Sequence, residues 1–579
     1  LFRRTMKPPP HQNGPAAPGY APGLPSGAPP PSPKAHALAR TMAEAMTGAM
    51  TGAVTGAAPK TGGLSSTASP AAARLRARLL RLAVHLPALL FLLAVLSPPL
   101  NHDVAAVLNF SERWFAGERL YVDLIDVNPP LIFSLNLVPA AIAAWTPLDG
   151  VQALQLCLLA LAGLSLWLCL RLREGRAEGT VEAAVLTGLL PLAMLVIGYD
   201  FGQREVLMGT AALPYALLAA RRMEGRRTAR GLWLGTTLLA ALGFALKPHF
   251  LAVPLLVEAL VLLRRGPRRA LRDPAPWAMA AVWLAYLAAI PLIFPAYLGY
   301  VVPLVWQYYL DLGGQSAWAV LFTPNLAVAA ALLLVLLPLA FRATGGPLAR
   351  VLAAAALGAF LSAWVQHKGW TYHVAPVLML GGVLAGLLAA RAADSVLPLA
   401  TARRAAPGLA LLATAGLALF ALRGGEAPFR EIGFEDSKAG RLTAWLKHEA
   451  YGERLLIISP DIYPVYPALN YAHVQSTLRT MNMWLLQGVY RTCPDSGERY
   501  RQPWEMSRAE FFVYRTVAED FAKAPPAAVL IDRNPGIPWC GREFDFAEYF
   551  SRHPLFAATW RHYHQEGEIE GYRLYVRDN

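Results

Sequence analysis

Leu131-Ile132-Phe133-Ser134-Leu135-Asn136-Leu137-Val138-Pro139-Ala140-Ala141-Ile142-Ala143-Ala144-Trp145-Thr146-Pro147 is the stretch on which the topology turns. It is apolar enough to enter a membrane, but it falls short of the roughly 20 residues that span a hydrocarbon core of about 30 Å. Pro139 also interrupts it. If it crossed, Arg171-Leu172-Arg173-Glu174-Gly175-Arg176 and the arginine-rich loops after it would face outward, against the cytoplasmic bias of Lys and Arg. The block is therefore expected to be re-entrant or tilted near the outer face, as is tolerated where protein buries the backbone.

The rest of the chain has the same character on a larger scale. Of 579 residues, 55% are hydrophobic and 16% charged, and the apolar ones fall in long blocks rather than at amphipathic spacing. The other blocks lie near 80–100, 150–171, 181–199, 206–221, 231–247, 249–263, 275–294, 319–341, 348–365, 372–391 and 405–423. The expected fold is mainly α, a polytopic transmembrane helix bundle of about 11–13 spans. Arg74, Arg76, Arg78 and Arg81 precede the first span, and Arg221-Arg222, Arg226-Arg227, Arg264-Arg265, Arg268-Arg269, Arg391 and Arg403-Arg404 follow later ones. The net charge of +14 is thus a sidedness signal. It does not point to nucleic acid, because no basic stretch carries interleaved aromatics on a soluble platform.

Residues 1–72 are rich in Pro, Gly, Ala and Ser, repeat Met-Thr-Gly-Ala at 46–49 and 50–53, and are expected to form a disordered cytoplasmic tail. The first span has no small-residue cleavage site behind it and reads as retained. Residues 73–423 form the transmembrane domain, with periplasmic loops at 101–130 and 295–318. Residues 424–579 change to a soluble α/β pattern: helix-like 440–450 before the apolar run 455–458, helix-like 508–523 before 528–531, and 572–576 closing the chain. Two parallel strands with intervening helices are expected in this periplasmic domain. Of the four cysteines, Cys157 and Cys169 lie in a span, while Cys493 and Cys540 can pair in an oxidising compartment.

On this topology several polar clusters converge outside, and ionisable groups held at a membrane surface usually serve chemistry or transport. Asp103, just after the first span, suits a general base for an acceptor hydroxyl, or an N-cap for a helix over 104–115, or both. Asp200 and Glu205 flank Gly202-Gln203-Arg204; with Asp103 they could hold magnesium or manganese, or they close a helix end by pairing with Arg204. Lys247 and His249 interrupt an apolar context, so a lipid phosphate held jointly with Arg204 and Lys368 is one reading and snorkelling of Lys247 the other. His367 and His373 belong to that pocket or are satisfied interfacial histidines. Tyr297, Tyr300, Trp306, Tyr308, Tyr309 and Trp318 form an aromatic belt, or pack over a sugar or polyprenyl chain.

The order is an acidic residue after the first span, an amphipathic helix ending in Trp114-Phe115-Ala116-Gly117-Glu118-Arg119-Leu120-Tyr121, then Asn128-Pro129-Pro130-Leu131, a second acidic site, and a C-terminal extracytoplasmic domain. It resembles the GT-C superfamily of integral membrane glycosyltransferases, in the bacterial branch similar to aminoarabinose transferases and protein O-mannosyltransferases, over about residues 80–425. The resemblance implies a polyprenyl-phosphate sugar donor, a cell-envelope glycan, lipid or protein as hydroxyl acceptor, and inverting transfer at the periplasmic face of the bacterial inner membrane. It matches Asp103 to the first-loop catalytic acid, Asp200 or Glu205 to the second acidic site, and Lys247 to a phosphate-binding cation. His102, Tyr121, Asp123, Asp126, His367 and His373 are the expected substrate contacts. His102-Asp103 stands where many relatives carry Asp-Glu, and Asp123 and Asp126 supply a further carboxylate or orient the loop. The rival reading is a transporter or flippase of lipid-linked saccharides, against which the chain has no inverted repeat and no matching broken spans.

Overall fold

The computed structural model describes residues 70–422 and 430–578; most of the expected tail, 1–69, and the junction at 423–429 lie outside the described residues. Helices α1 (Pro70–Ala83) and α2 (Leu86–Leu96) open it, followed by α3 (His102–Phe115) and α4 (Pro130–Trp145). The later apolar blocks become α5 (Gly150–Arg173), α6 (Thr180–Leu195), α7 (Arg204–Met223), α8 (Arg230–Ala245), α9 (Ala252–Arg265), α10 (Pro274–Ile293), α11 (Pro324–Phe341), α12 (Gly346–Val365), α13 (Ala375–Val396) and α14 (Leu399–Ala421). Among the described residues, seven stretches are long and apolar enough to cross a membrane: Arg78–Leu96 and those carrying α5, α10, α11, α12, α13 and α14. The chain is a multi-pass membrane protein. The α12 and α13 stretches are buried over 67% and 72% of their apolar windows, against 11% for α10. The first two therefore form the centre of the bundle, while α10 presents its apolar surface outward.

The two ends of the bundle differ in charge. At one end Arg173 pairs with Glu178, Arg391 with Glu182, and Arg222 with Glu258 and Asp273. Asp394 near the end of α13 accepts from Val181 N and Glu182 N, both at 2.9 Å, an anion seated on the N-terminus of α6. The arginine-rich connections thus meet at a single end, as their sidedness requires.

Helix α4 packs against α3. Ser111 Oγ of α3 donates to Phe133 O near its start, and Phe115 packs edge-on to Trp145 at its end, 5.8 Å between ring centroids. Gly150 then opens α5 directly against α3, where a Cβ would collide with the Glu112 carboxylate. The helix runs through Pro139 without ending there. Its start and its end both touch α3, so the two helices pack side by side.

The C-terminal region holds α15 (Lys438–Glu449), β1 (Arg454–Ile458), α16 (Val465–Ala472), β2 (Gln475–Ser476), α17 (Arg508–Lys523), β3 (Ala528–Asp532), β4 (Tyr563–Ile569) and β5 (Tyr572–Arg577). The sheet order is β2-β1-β3-β5-β4. β1 and β3 are parallel in the register Leu455↔Ala528 to Ile458↔Ile531, and β5 lies antiparallel between β3 and β4. Unbroken apolar runs suit strands covered on both faces. Cys493 and Cys540 form a disulfide.

This domain sits on the α3 end of the bundle. Arg113 Nη1 donates to Leu478 O at 2.9 Å, Asn470 Nδ2 to Ala105 O at 3.0 Å, and Leu100 N to Tyr471 OH at 2.9 Å. The aromatic stretch expected as a loop is helical over Tyr297–Val301, Val302–Leu304 and Val305–Tyr309. It divides by face: Tyr300 meets Phe512 and Tyr309 meets Trp484 of the C-terminal domain, whereas Trp306 and Trp318 stay 76% and 75% exposed, as belt residues do.

Candidate active site

Asp103 lies in the first turn of α3, but it does not cap the helix as the sequence suggested. The cap is Asn101, whose Oδ1 accepts from Asp103 N at 3.0 Å and Val104 N at 3.4 Å. An amide two residues earlier reaches the free N–H groups, which leaves the Asp103 carboxylate turned away from its own backbone. Gln203 Nε2 donates to Asp103 Oδ2 at 2.9 Å and to Asn101 Oδ1 at 2.9 Å, and Asn101 Nδ2 donates to Asp200 Oδ1 at 3.0 Å. The α6–α7 connection makes this possible through Gly202, whose φ of +98° and contact with Val104 and Leu158 leave no room for a side chain. Burial pushes the Asp103 carboxyl up, but His102, Arg204, the Gln203 hydrogen bond and Lys247 outweigh it and hold it below the usual value. It is a carboxylate at neutral pH. His102 is itself held by Tyr199, ring nitrogen to hydroxyl 3.0 Å, and meets Tyr463 of the C-terminal domain edge-on.

Opposite Asp103 stands a group of cations. Arg204, at the start of α7, is buried within electrostatic reach of Glu205, Asp103 and Asp126, yet its guanidinium makes no hydrogen bond among the described residues. The expected Arg204–Glu205 pair is replaced by Lys247, whose Nζ donates to Glu205 Oε1 at 2.6 Å and to Gln366 Oε1 at 3.3 Å. A residue cannot easily fold back on its helical neighbour, whereas Lys247 enters from the next helix end. Lys368 Nζ lies over the rings of Tyr309 and Trp370, 3.8 and 4.7 Å from their centroids. Burial lowers Lys247 to about 8 against the pull of Glu205, and burial with Lys247 lowers Lys368 to about 7. His249 is brought to about 3 by burial, Lys247 and Arg204, so it is neutral, and its Nε2 has no partner among the described residues. His373 is buried against Trp370 and Tyr372.

A cleft open to solvent, about 330 Å³ with that open space counted, lies between Asp103 and Arg204. Its polar end carries Asp103, Gln203 and Arg204, and its apolar wall Ile132, Leu154 and Leu158. Asp126 is near: it is buried, within electrostatic reach of Arg204 and Asp103, and accepts from Asn128 N and Nδ2. Burial raises its carboxyl above the usual value. Other expected contacts are placed elsewhere. Asp123 is turned to Arg119 at the surface. Tyr121 is buried with its OH donating to Asn128 O, which fixes the loop from within. His367 ties the 315 segment down, its Nδ1 3.2 Å from Gln315 O while its own carbonyl accepts from Gln315 N.

The carboxylates do not converge as metal ligands. Asp103 is engaged by Gln203, Asp200 by Asn101 and Glu205 by Lys247, and among the described residues no three His, Cys, Asp or Glu come close enough to share an ion. Such a donor set does not fit magnesium or manganese, which call for several oxygens around one point. Asn101, Gln203 and Gln366 are site residues to which the sequence reading gave no role, while Tyr309, read with the aromatic belt, lies under Lys368. Asn101 alone carried a signal, since Asn before a polar helix start is a preferred cap.

No protein-family model matches the sequence, and no curated protein matches it. Among solved structures the chain is similar to ArnT from Cupriavidus metallidurans in the apo state, with a TM-score of 0.51 and 14% identity over 87% of this chain and 98% of that one. ArnT from the same organism bound to undecaprenyl phosphate aligns with a TM-score of 0.49 and 13% identity over 88% and 98%. At such identity the apo likeness is one of fold: a polytopic helical bundle with a C-terminal domain.

Proposed function

We propose that this chain is a membrane glycosyltransferase that moves a sugar from a polyprenyl-phosphate donor to a hydroxyl of a cell-envelope glycan, lipid or protein, with inversion, at the periplasmic face of the bacterial inner membrane. The observation that carries this is a buried carboxylate, Asp103, sharing with Arg204 the polar end of a cleft whose wall is apolar. The apolar wall suits a prenyl chain, and Arg204, Lys247 and Lys368 suit its phosphate. The fold shared with apo ArnT fits the same reading. The disulfide supports an oxidising compartment for the C-terminal domain.

In the proposed step Asp103 takes the proton of the acceptor O–H and the oxygen attacks the anomeric carbon from the side opposite the phosphate. As the new bond forms the carbon–oxygen bond to phosphate breaks, and the polyprenyl phosphate leaves with the electron pair. Its charge is met by Arg204 and Lys247, and a phosphate leaving group needs no proton. No part of this step passes through a metal.

The test is transfer by purified protein from a panel of polyprenyl-phosphate sugars, with the glycosidic product identified. Wild type is expected to form it, and Asp103→Asn to be slower by about 10²- to 10⁴-fold, the usual contribution of a positioned base. Full activity in Asp103→Asn removes it as the base, and translocation of the lipid-linked sugar without any glycoside replaces the enzyme with a transporter.

A further inference from the structure

The hydrogen bonds around Asp103 form a chain of two side-chain amides whose orientation is not a free choice. Asn101 Oδ1 faces the backbone N–H groups of Asp103 and Val104, which only donate, so the oxygen must be there. That turns Asn101 Nδ2 to Asp200, an acceptor, at 3.0 Å. With Asn101 Oδ1 also facing Gln203, the Gln203 group within 2.9 Å of it must be the NH2, and the same nitrogen reaches Asp103 Oδ2 at 2.9 Å. Asn101 and Gln203 are each 1% exposed and Asp200 3%, so water does not compete for these bonds. The result is directional: the helix cap and Asp200 hold Asn101, Asn101 holds Gln203, and Gln203 occupies one oxygen of Asp103. The other oxygen, Oδ1, makes no hydrogen bond among the described residues and lies 3.8 Å from His102 Nε2.

We infer that Asn101 and Gln203 are positioning residues that fix the Asp103 carboxylate by its Oδ2 and so present Oδ1 to the acceptor hydroxyl. This rests on the reading of Asp103 as the base. It also gives Asp200 a different role from an acid or a ligand: it anchors the amide that orients the cap. Amides suit the task better than charged groups. They bind the carboxylate without donating a proton to it, so Oδ1 stays basic while its direction is set.

Two variants separate positioning from folding. Gln203→Met keeps the length of the side chain and removes the donor; Asn101→Ser keeps a good helix cap and removes the link to Gln203 and Asp200. In both, kcat is expected to fall by about ten- to a hundredfold, the scale of a small misplacement of a reacting group, with the donor KM within about twofold of wild type. In Gln203→Met the acidic limb of the kcat profile should also move to higher pH, because a bond that favours the ionised carboxyl is gone. The charged and titratable groups facing Asp103 (His102 on its own helix, Arg204, Lys247, Lys368, Asp126, Tyr309 and Tyr372) are unchanged by that substitution. An unchanged kcat, or a lower kcat with an unmoved limb, overturns the inference. A second measurement needs no turnover: the pH dependence of carbodiimide labelling of Asp103, read by peptide mass spectrometry. A midpoint raised in Gln203→Met supports the positioning role and an unmoved midpoint overturns it. An inert wild type with a raised midpoint overturns the glycosyltransferase reading alone.

Discussion

At the scale of single residues, the ion pair between Lys247 and Glu205 is where stability and binding meet. Glu205 is almost wholly buried and its Oε2 has no hydrogen-bond partner among the described residues, so Lys247 at its Oε1, with Arg204 within electrostatic reach, compensates its charge. Lys247→Met is expected to destabilise the protein by about 3–5 kcal/mol, the cost of a buried charge left alone, seen as a lower Tm. Adding Glu205→Gln should recover most of it; a double variant no better than the single would show that the pair does not act as one unit. The lysines also set a pH dependence. Lys368 at about 7 and Lys247 at about 8 lie below the usual 10.5, so between those values the unfolded chain holds protons that the folded chain lacks. Their contribution to stability therefore rises with pH across that window. An anionic phosphate has the opposite preference, because it favours charged lysines. On the proposed function the donor KM should increase from pH 7 to pH 9, and a flat profile would separate the lysines from the phosphate. The charges in this site were legible one by one, since an ionisable residue inside an apolar run stands out. Gln203 was not, because a neutral amide carries no such contrast, and Asn101 showed only as a preferred helix cap.

At the scale of elements, α4 is the informative one. Its length and composition leave its crossing open, and the positive-inside bias favours a block that does not fully cross; its end packs Trp145 on Phe115 of α3. Single cysteines placed at Asn128, Thr146 and Glu174, in a background with Cys157→Ala and Cys169→Ala, test this in sealed membranes. Asn128→Cys and Thr146→Cys should label from one side and Glu174→Cys from the other; labelling of Thr146→Cys from the side opposite Asn128→Cys, with Glu174→Cys back on the Asn128 side, would mean that α4 crosses. Element boundaries were legible to a few residues: the block read at 150–171 is the helix Gly150–Arg173, and the one at 275–294 is Pro274–Ile293. The aromatic stretch after α10 was not, because a belt and a packed helical turn use the same residues. Contact with Phe512 and Trp484 decided between them face by face.

At the scale of the whole molecule, the C-terminal domain is part of the site, since Tyr463 meets His102 and Arg113 reaches Leu478. The disulfide joins residues 47 apart, and losing it in Cys493→Ser with Cys540→Ser should lower stability by about 4 kcal/mol through the freedom returned to the unfolded chain. The expected readout is a lower Tm with the glycosyl transfer kept at low temperature; an unchanged Tm would make the bridge dispensable. The sequence by itself determined the membrane bundle, the end to which the arginines go, the α/β character of the C-terminal region and the set of charged residues near the site. Those follow from transfer free energies and strand or helix periods, which add along the chain and need no partner. Only the tertiary structure decided who pairs with whom. Lys247 meets a carboxylate 42 residues away and Gln203 one 100 residues away, and that distance vanishes only when α3, α7 and the end of α8 are brought together. Pairing energies fall off within a few ångströms, so a list of residues, however well read, does not contain them.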